Sequence, residues 1–184
     1  MFSLSHKIPT FPDWIVECSL THILILQKRV FASSAFLSSG SSLWVLGGSP
    51  DLYHMHNSTE ILERGVWRAG TDMTGERASH CSVTLTGDRV VVTGGYDGRQ
   101  TLDVVEMFSP GQGWTRLQSM ATSRQDHSCA RAWVDNSTGE VVTYNRERSV
   151  LAIVVAGGKS FYMLSVDNKM TYFEMLASFS KERL

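Results

Sequence analysis

Short runs rich in Val, Leu, Thr, Phe and Trp recur along the chain, each bounded by Gly, Pro, Asp or Asn, and this punctuation predicts strands. In the clearest stretch, His80 to Leu85 is followed by Gly87-Asp88, and Val90 to Thr93 by Gly94-Gly95. Leu102 to Phe108 follows a turn at Asp97-Gly98, and Pro110-Gly111 leads to Trp114 to Leu117, completing a set of four. Such β-branched and aromatic residues suit a pleated, half-buried surface. No stretch keeps apolar residues at i, i+3, i+4 and i+7 over three helical turns, so an all-β chain is expected.

The set of four repeats. Sliding the chain by 47 residues carries Gly47-Gly48 onto Gly94-Gly95, Trp67 onto Trp114, Met73 onto Met120, Arg77 onto Arg124 and His80 onto His127. A period of about 50 residues, with Gly-Gly closing one strand and a lone Trp opening another, predicts propeller blades of four antiparallel strands rather than a helical array. Blades are expected around 31–70, 80–117 and 127–176, after a leader over residues 1–28. Trp14, 53 residues before Trp67, reads as the last strand of a preceding blade, although Pro9 and Pro12 stand beside it. The third doublet, Gly157-Gly158, comes 63 residues after the second, and polar residues fill the excess, so an inserted loop over 135–149 is expected between the first two strands of that blade.

Ser-Leu-Trp-Val-Leu-Gly-Gly (42 to 48), Arg-Val-Val-Val-Thr-Gly-Gly (89 to 95) and Leu-Ala-Ile-Val-Val-Ala-Gly-Gly (151 to 158) resemble the Gly-Gly strands of kelch repeats. In the first two blocks a Glu-containing stretch, a Trp, a Met and an Arg follow in the kelch order. The third block departs from it, with Ala177 where the Trp would fall. The resemblance runs from about Arg29 to Asp167. It implies a kelch-type β-propeller. Closed propellers use about four to eight blades, so three doublets predict an incomplete ring: a fragment, or an arc completed by self-association.

Lys and Arg number 17 against 18 Asp and Glu, interspersed, which leaves no electrostatic footprint for nucleic acid or an anionic membrane. The apolar stretch Leu20 to Leu26 is far shorter than the ~20 residues that span a bilayer and reads as a strand. The amino-terminal residues lack the pattern of a secretory signal. Cys18, Cys81 and Cys129 are too few and too scattered for a disulfide framework. Overlaying the repeats puts Cys81 on Ser128 and Cys129 on Ser82, one position apart, so the two thiols are expected on opposite strand faces and unable to pair without backbone movement. That favours a reducing, cytoplasmic compartment. The alternative is secretion, with sequons at Asn57 and Asn136.

The recurring Arg-x-x-His pairs, Arg77/His80 and Arg124/His127, form the best polar constellation. Set before the innermost strand, they are expected either at the channel mouth, offering guanidinium forks to a partner, or hydrogen-bonded to the neighbouring blade. Ser79 and Asp126, two residues after the arginines, are the equivalent variable positions. Gly47, Gly48, Gly94, Gly95, Gly157 and Gly158 are expected at sharp, crowded turns, and Trp67 and Trp114 between blades. His54 and His56 read as loop histidines more readily than as metal ligands, and Asp51 and Asp97 as turn residues rather than calcium ligands. No serine-hydrolase, zinc-protease or phosphate-loop motif occurs. No cofactor or metal is expected. The resemblance therefore implies a non-catalytic module that binds another protein through loops at one end of the blades, as a ubiquitin-ligase substrate adaptor or a cytoskeletal scaffold. A propeller enzyme or sugar-binding protein of the galactose-oxidase-like or sialidase-like kind is the competing expectation.

Overall fold

The computed structural model describes residues 25–37, 41–135, 137–138 and 140–157, together with the strand pairing of 160–165 and 173–175. Trp14, Cys18, Asn136, Gly158 and Ala177 lie outside the described residues, as does most of the stretch Leu20 to Leu26, whose described end is not in a strand.

Among the described residues, twelve strands form three antiparallel sheets of four, each in chain order. The first contains β1 (Ser33–Leu37), β2 (Ser42–Leu46), β3 (Thr59–Glu63) and β4 (Val66–Ala69). The second contains β5 (Cys81–Thr84), β6 (Val90–Thr93), β7 (Val105–Ser109) and β8 (Gly113–Arg116). The third contains β9 (Ser128–Asp135), β10 (Ser149–Gly157), β11 (Ser160–Ser165) and β12 (Phe173–Met175). The leading strands β1, β5 and β9 lie beside one another from sheet to sheet. The sheets are therefore blades fanned about a common inner edge, the all-β propeller arrangement. No α-helix occurs among the described residues, and no helix there is long and apolar enough to cross a membrane.

Successive blades meet face to face, and the strand period decides which residues meet. On the seam between the first two blades, Ala35, Trp44, Leu46 and Ile61 pack against Val90, Val92, Phe108 and Trp114, with Met73 between them. On the next seam, Leu85, Val91 and Val105 pack against Leu151, Ile153 and Val155, with Met120 in the equivalent place. Val90, Val91 and Val92 are all fully buried because β6 has a blade on each side, which is why it reads as an unbroken apolar run. Each such side chain contributes about 1.5–3 kcal/mol on leaving water. Trp114 sits on the first seam, 5.6 Å from Phe108 and 6.4 Å from Trp44 between ring centroids, and donates its indole N–H to Thr71 O at 2.8 Å. Trp67 holds the matching place on β4, paired with Leu62 as Trp114 is with Phe108.

The same geometry overturns the expectation that Cys81 and Cys129 cannot pair. They form a disulfide, with Cα atoms 5.9 Å apart. The two thiols do occupy opposite faces of equivalent strands, but β5 and β9 belong to different sheets, and opposite faces are the ones that meet across a seam. Cys81 shares its face with Val83 and Leu85, and Cys129 lies with Trp133 against that cluster. The preceding seam shows the same relation: Ser34 and Ser82, 47 residues before each cysteine, are joined by a hydrogen bond from Ser82 Oγ to Ser34 O of 2.9 Å. The cysteine argument for a reducing compartment falls with the correction.

In the third blade, β9 and β10 are eight and nine residues long, and the chain between them folds back on the blade. Val142 donates its N–H to Trp133 O at 2.8 Å, and Tyr144 lies against the Trp133 ring at 4.5 Å. This loop is at the end of the blades opposite the glycine doublets.

Candidate partner-binding rim

At the doublet end, the segments that enter the inner strands are built to one plan. Gly47 and Gly94 adopt φ of 57° and 58°, and a Cβ on either would come within 2.4 Å of the carbonyl oxygen of Arg77 or Arg124 respectively. His80 and Met73 crowd Gly47 as His127 and Met120 crowd Gly94. The backbone of each arginine is thereby tied to the blade before it: Gly48 N–H donates to Arg77 O at 2.9 Å, and Gly95 N–H to Arg124 O at 2.7 Å.

The arginine side chains reach the other way. Arg77 is 1% exposed and donates to Gly94 O at 3.0 Å while closing a salt bridge on Glu106, itself fully buried. Arg124 donates to Gly157 O, the matching glycine of the third blade. Arg29 completes the series, donating to Gly47 O at 2.7 Å and pairing with Glu60 at 2.8 Å. Each arginine thus bridges into the blade it introduces, its fork directed to backbone, and for Arg29 and Arg77 also to a carboxylate, rather than to solvent. Burial pulls the Arg77 pKa down, opposed by the Glu106 charge. His80 and His127 are also buried, against Ser33 Oγ at 2.6 Å and Thr93 Oγ1 at 2.8 Å. Burial, reinforced by the Arg77 charge, pushes the His80 pKa down to about 3, and burial lowers that of His127.

Glu60 and Glu106 are the glutamates of the stretch that follows each doublet, but their pairing with arginine, and Arg29 as the first of the arginines, are not visible in the sequence. Arg29 to Arg77 spans 48 residues and Glu60 to Glu106 spans 46, so a fixed 47-residue ruler passes each pair by one position. Allowing a one-residue slip would have aligned three arginines and two glutamates.

What faces outward here is the residue two positions after each arginine. Phe31, Ser79 and Asp126 all have left-handed backbone, with φ of 55°, 53° and 51°. Ser79 N–H donates to Phe31 O and Asp126 N–H to Ser79 O, both at 2.9 Å. A backbone rail therefore passes from blade to blade, with three chemically different side chains at equivalent stations. Non-Gly residues pay a steric cost in this conformation, and the rail bonds hold them there. Between the stations lies a hollow of about 340 Å³ lined by Phe31, Leu52, Met55, Ala78, Tyr96 and Asp126, among others.

Leu52 is presented on a fixed loop. Its N–H donates to Ser49 Oγ at 2.7 Å, and Asp51 accepts the N–H groups of Tyr53 and His54 at 2.9 Å. The His54 backbone and imidazole draw the Asp51 pKa down to about 2, and the carboxylate in turn raises that of His54. Asp97 plays a similar part, accepting the N–H groups of Arg99 and Gln100 at 2.7 and 2.8 Å. Both aspartates are occupied with turn geometry. Among the described residues no three His, Cys, Asp or Glu side chains are grouped to hold a metal ion.

Comparison with known proteins agrees with this architecture. The kelch motif model matches residues 77–121, from the buried arginine of the second blade through its outer strand. Kelch-like protein 25 of Xenopus laevis is 26% identical over 95 residues, which cover 51% of this chain and 16% of that protein. The solved structure of YjhT superimposes with a TM-score of 0.55 at 11% identity, over 80% of this chain and 46% of the other, a likeness of fold. The chain thus spans less than half the length of either relative. Its doublets, bridging arginines and seams are those of blades in an incomplete ring, and the chain carries a kelch motif over residues 77–121 within a propeller-type fold.

Proposed function

We propose that the chain is a non-catalytic protein-binding module whose contact surface is the rim carrying Phe31, Ser79 and Asp126. The observation that supports this reading is the hydrogen-bonded rail. It fixes three outward side chains on backbone that does not need to be ordered on binding, which lowers the entropic cost of association. The exposed Leu52 and Tyr53, held by Ser49 and Asp51, extend the same surface. Large apolar groups exposed beside a hollow mark interaction sites. Arg77, His80, Arg124 and His127 act beneath that surface by holding its backbone in place.

Service as a ubiquitin-ligase adaptor or a cytoskeletal scaffold is the family reading of such a module, and choosing between them needs the partner. The cytoplasmic placement suggested by a kelch-like relative requires Cys81 and Cys129 to be thiols there, whereas the closed bond belongs in an oxidising compartment. Blocking free thiols in intact cells before lysis, then reading the mass of the peptides containing Cys81 and Cys129, separates the two placements.

The rim reading is tested by affinity capture with quantitative mass spectrometry, comparing the native chain with a Phe31→Ser/Leu52→Ser variant and with a Tyr144→Ser variant at the opposite end. The reading expects proteins lost with the rim variant and kept with Tyr144→Ser, at an unchanged melting temperature. Equal capture by all three would refute it.

A further inference from the structure

The side chains around the rim hollow specify a partner chemistry, an inference that rests on the rim as the contact surface. Asp126 is exposed and makes no ion pair among the described residues, and it is the one charged residue among those that line the hollow. Its one described side-chain hydrogen bond is from the Gln125 amide, which donates to it at 3.2 Å. The rest of the wall mixes apolar groups with neutral polar ones: Phe31 and Leu52 are each 60% exposed, Met55 and Ala78 are buried beneath, Tyr96 is half-buried, and Ser49, Ser79 and Gln125 complete the lining.

A carboxylate beside an exposed aromatic ring and an aliphatic wall complements one kind of side chain. Lysine and arginine carry a long apolar stem under a charged head. The stem covers Phe31 and Leu52, where the head also gains from the ring face, and the head reaches Asp126 for a charge-assisted hydrogen bond. A carboxylate or phosphate would meet Asp126 with like charge, and the arginine that could have offset this, Arg77, is closed on Glu106. We propose that the rim binds a partner protein through an exposed segment carrying Arg or Lys flanked by apolar residues.

Immobilised short peptides of one apolar sequence, differing only in a central Arg, Lys, Gln or Glu, test this against the full chain. The Arg and Lys peptides should bind best, more weakly at high salt. Asp126→Asn, which tolerates the same backbone conformation, should weaken their binding about tenfold, the loss expected for one charged hydrogen bond, while leaving the Gln peptide unchanged. Asp126→Arg should reverse the preference toward Glu, and if that variant fails to fold the Asp126→Asn comparison decides alone. Binding that favours Glu or ignores charge, yet disappears in Phe31→Ser/Leu52→Ser, overturns the cationic partner and leaves the rim reading intact. Failure of all the peptides to show any dependence on Phe31, Leu52 or Asp126 overturns both.

Discussion

Cys81 is bonded to Cys129 across a seam where the two strands that carry them share no backbone ladder. The link therefore ties two blades together rather than reinforcing one sheet. It closes a loop of 48 residues, and a bond of that span stabilises by about 2–4 kcal/mol, mainly through the unfolded chain. Urea unfolding should show Cys81→Ser losing about that much, the native chain matching it once reduced, and reductant adding nothing to the variant. A variant that responds to reductant as strongly as the native chain would contradict the bond.

Removing the Arg77 guanidinium strands the Glu106 carboxylate in the interior. Arg77→Met should cost about 3–5 kcal/mol, whereas Arg77→Met/Glu106→Leu should recover much of the loss, because an apolar pair can replace a buried ion pair at little cost. Denaturant midpoints of the two variants check this. If Arg77→Met unfolds like the native chain, its partner is reached by water and the burial is wrong.

The pKa of His80, held near 3 in the folded chain against about 6.5 when unfolded, makes the native state reluctant to take up a proton. Between those values the unfolded chain binds more protons, so the stability from neutral His80 is complete above about pH 6.5 and is lost as pH falls toward 3. His127 acts in the same direction. Other groups also titrate in acid, so the informative quantity is a difference: His80→Gln should lose less stability than the native chain between pH 7 and pH 4.5. Parallel pH profiles would show that His80 is solvated.

Gly94 and Gly87 separate two effects usually mixed in glycine substitutions. Both have positive φ, 58° and 71°, but a Cβ at Gly94 meets the Arg124 carbonyl whereas one at Gly87 meets nothing within 4 Å. Gly87→Ala should cost only the conformational strain, about 1–2 kcal/mol. Gly94→Ala should cost at least about twice as much, read from thermal unfolding. Equal losses would mean that the crowding relaxes freely.

The strands of the second blade were legible almost to the residue, because Gly-Asp, Gly-Gly and Pro-Gly turns bracket β5 to β8. The expected third strand began at Leu102, but β7 starts at Val105: before it the chain pairs with the turning glycine doublet, Val104 O accepting from Gly94 N–H and Leu102 N–H donating to Gly95 O, while Leu102 O accepts from Arg124 N–H. The Cys81–Cys129 link was missed because strand alternation describes one sheet, and the pairing depends on how two sheets stack. The Arg-x-x-His recurrence was visible in the sequence, but its direction was not. Whether an arginine faces a channel or a blade depends on a carboxylate such as Glu106, brought to it from another strand.

Phe31, Ser79 and Asp126 show that one backbone station accepts a ring, a hydroxyl and a carboxylate at nearly the same φ, joined by two rail bonds of equal length. Their shape is dictated from below, by glycine, arginine and histidine, and their chemistry is not. Recognition could thus be rewritten one side chain at a time while the scaffold stays intact, with β-branched residues the poorest substitutes because of the left-handed backbone. On the proposed rim reading, stability and specificity are held by different residues only two positions apart in the chain.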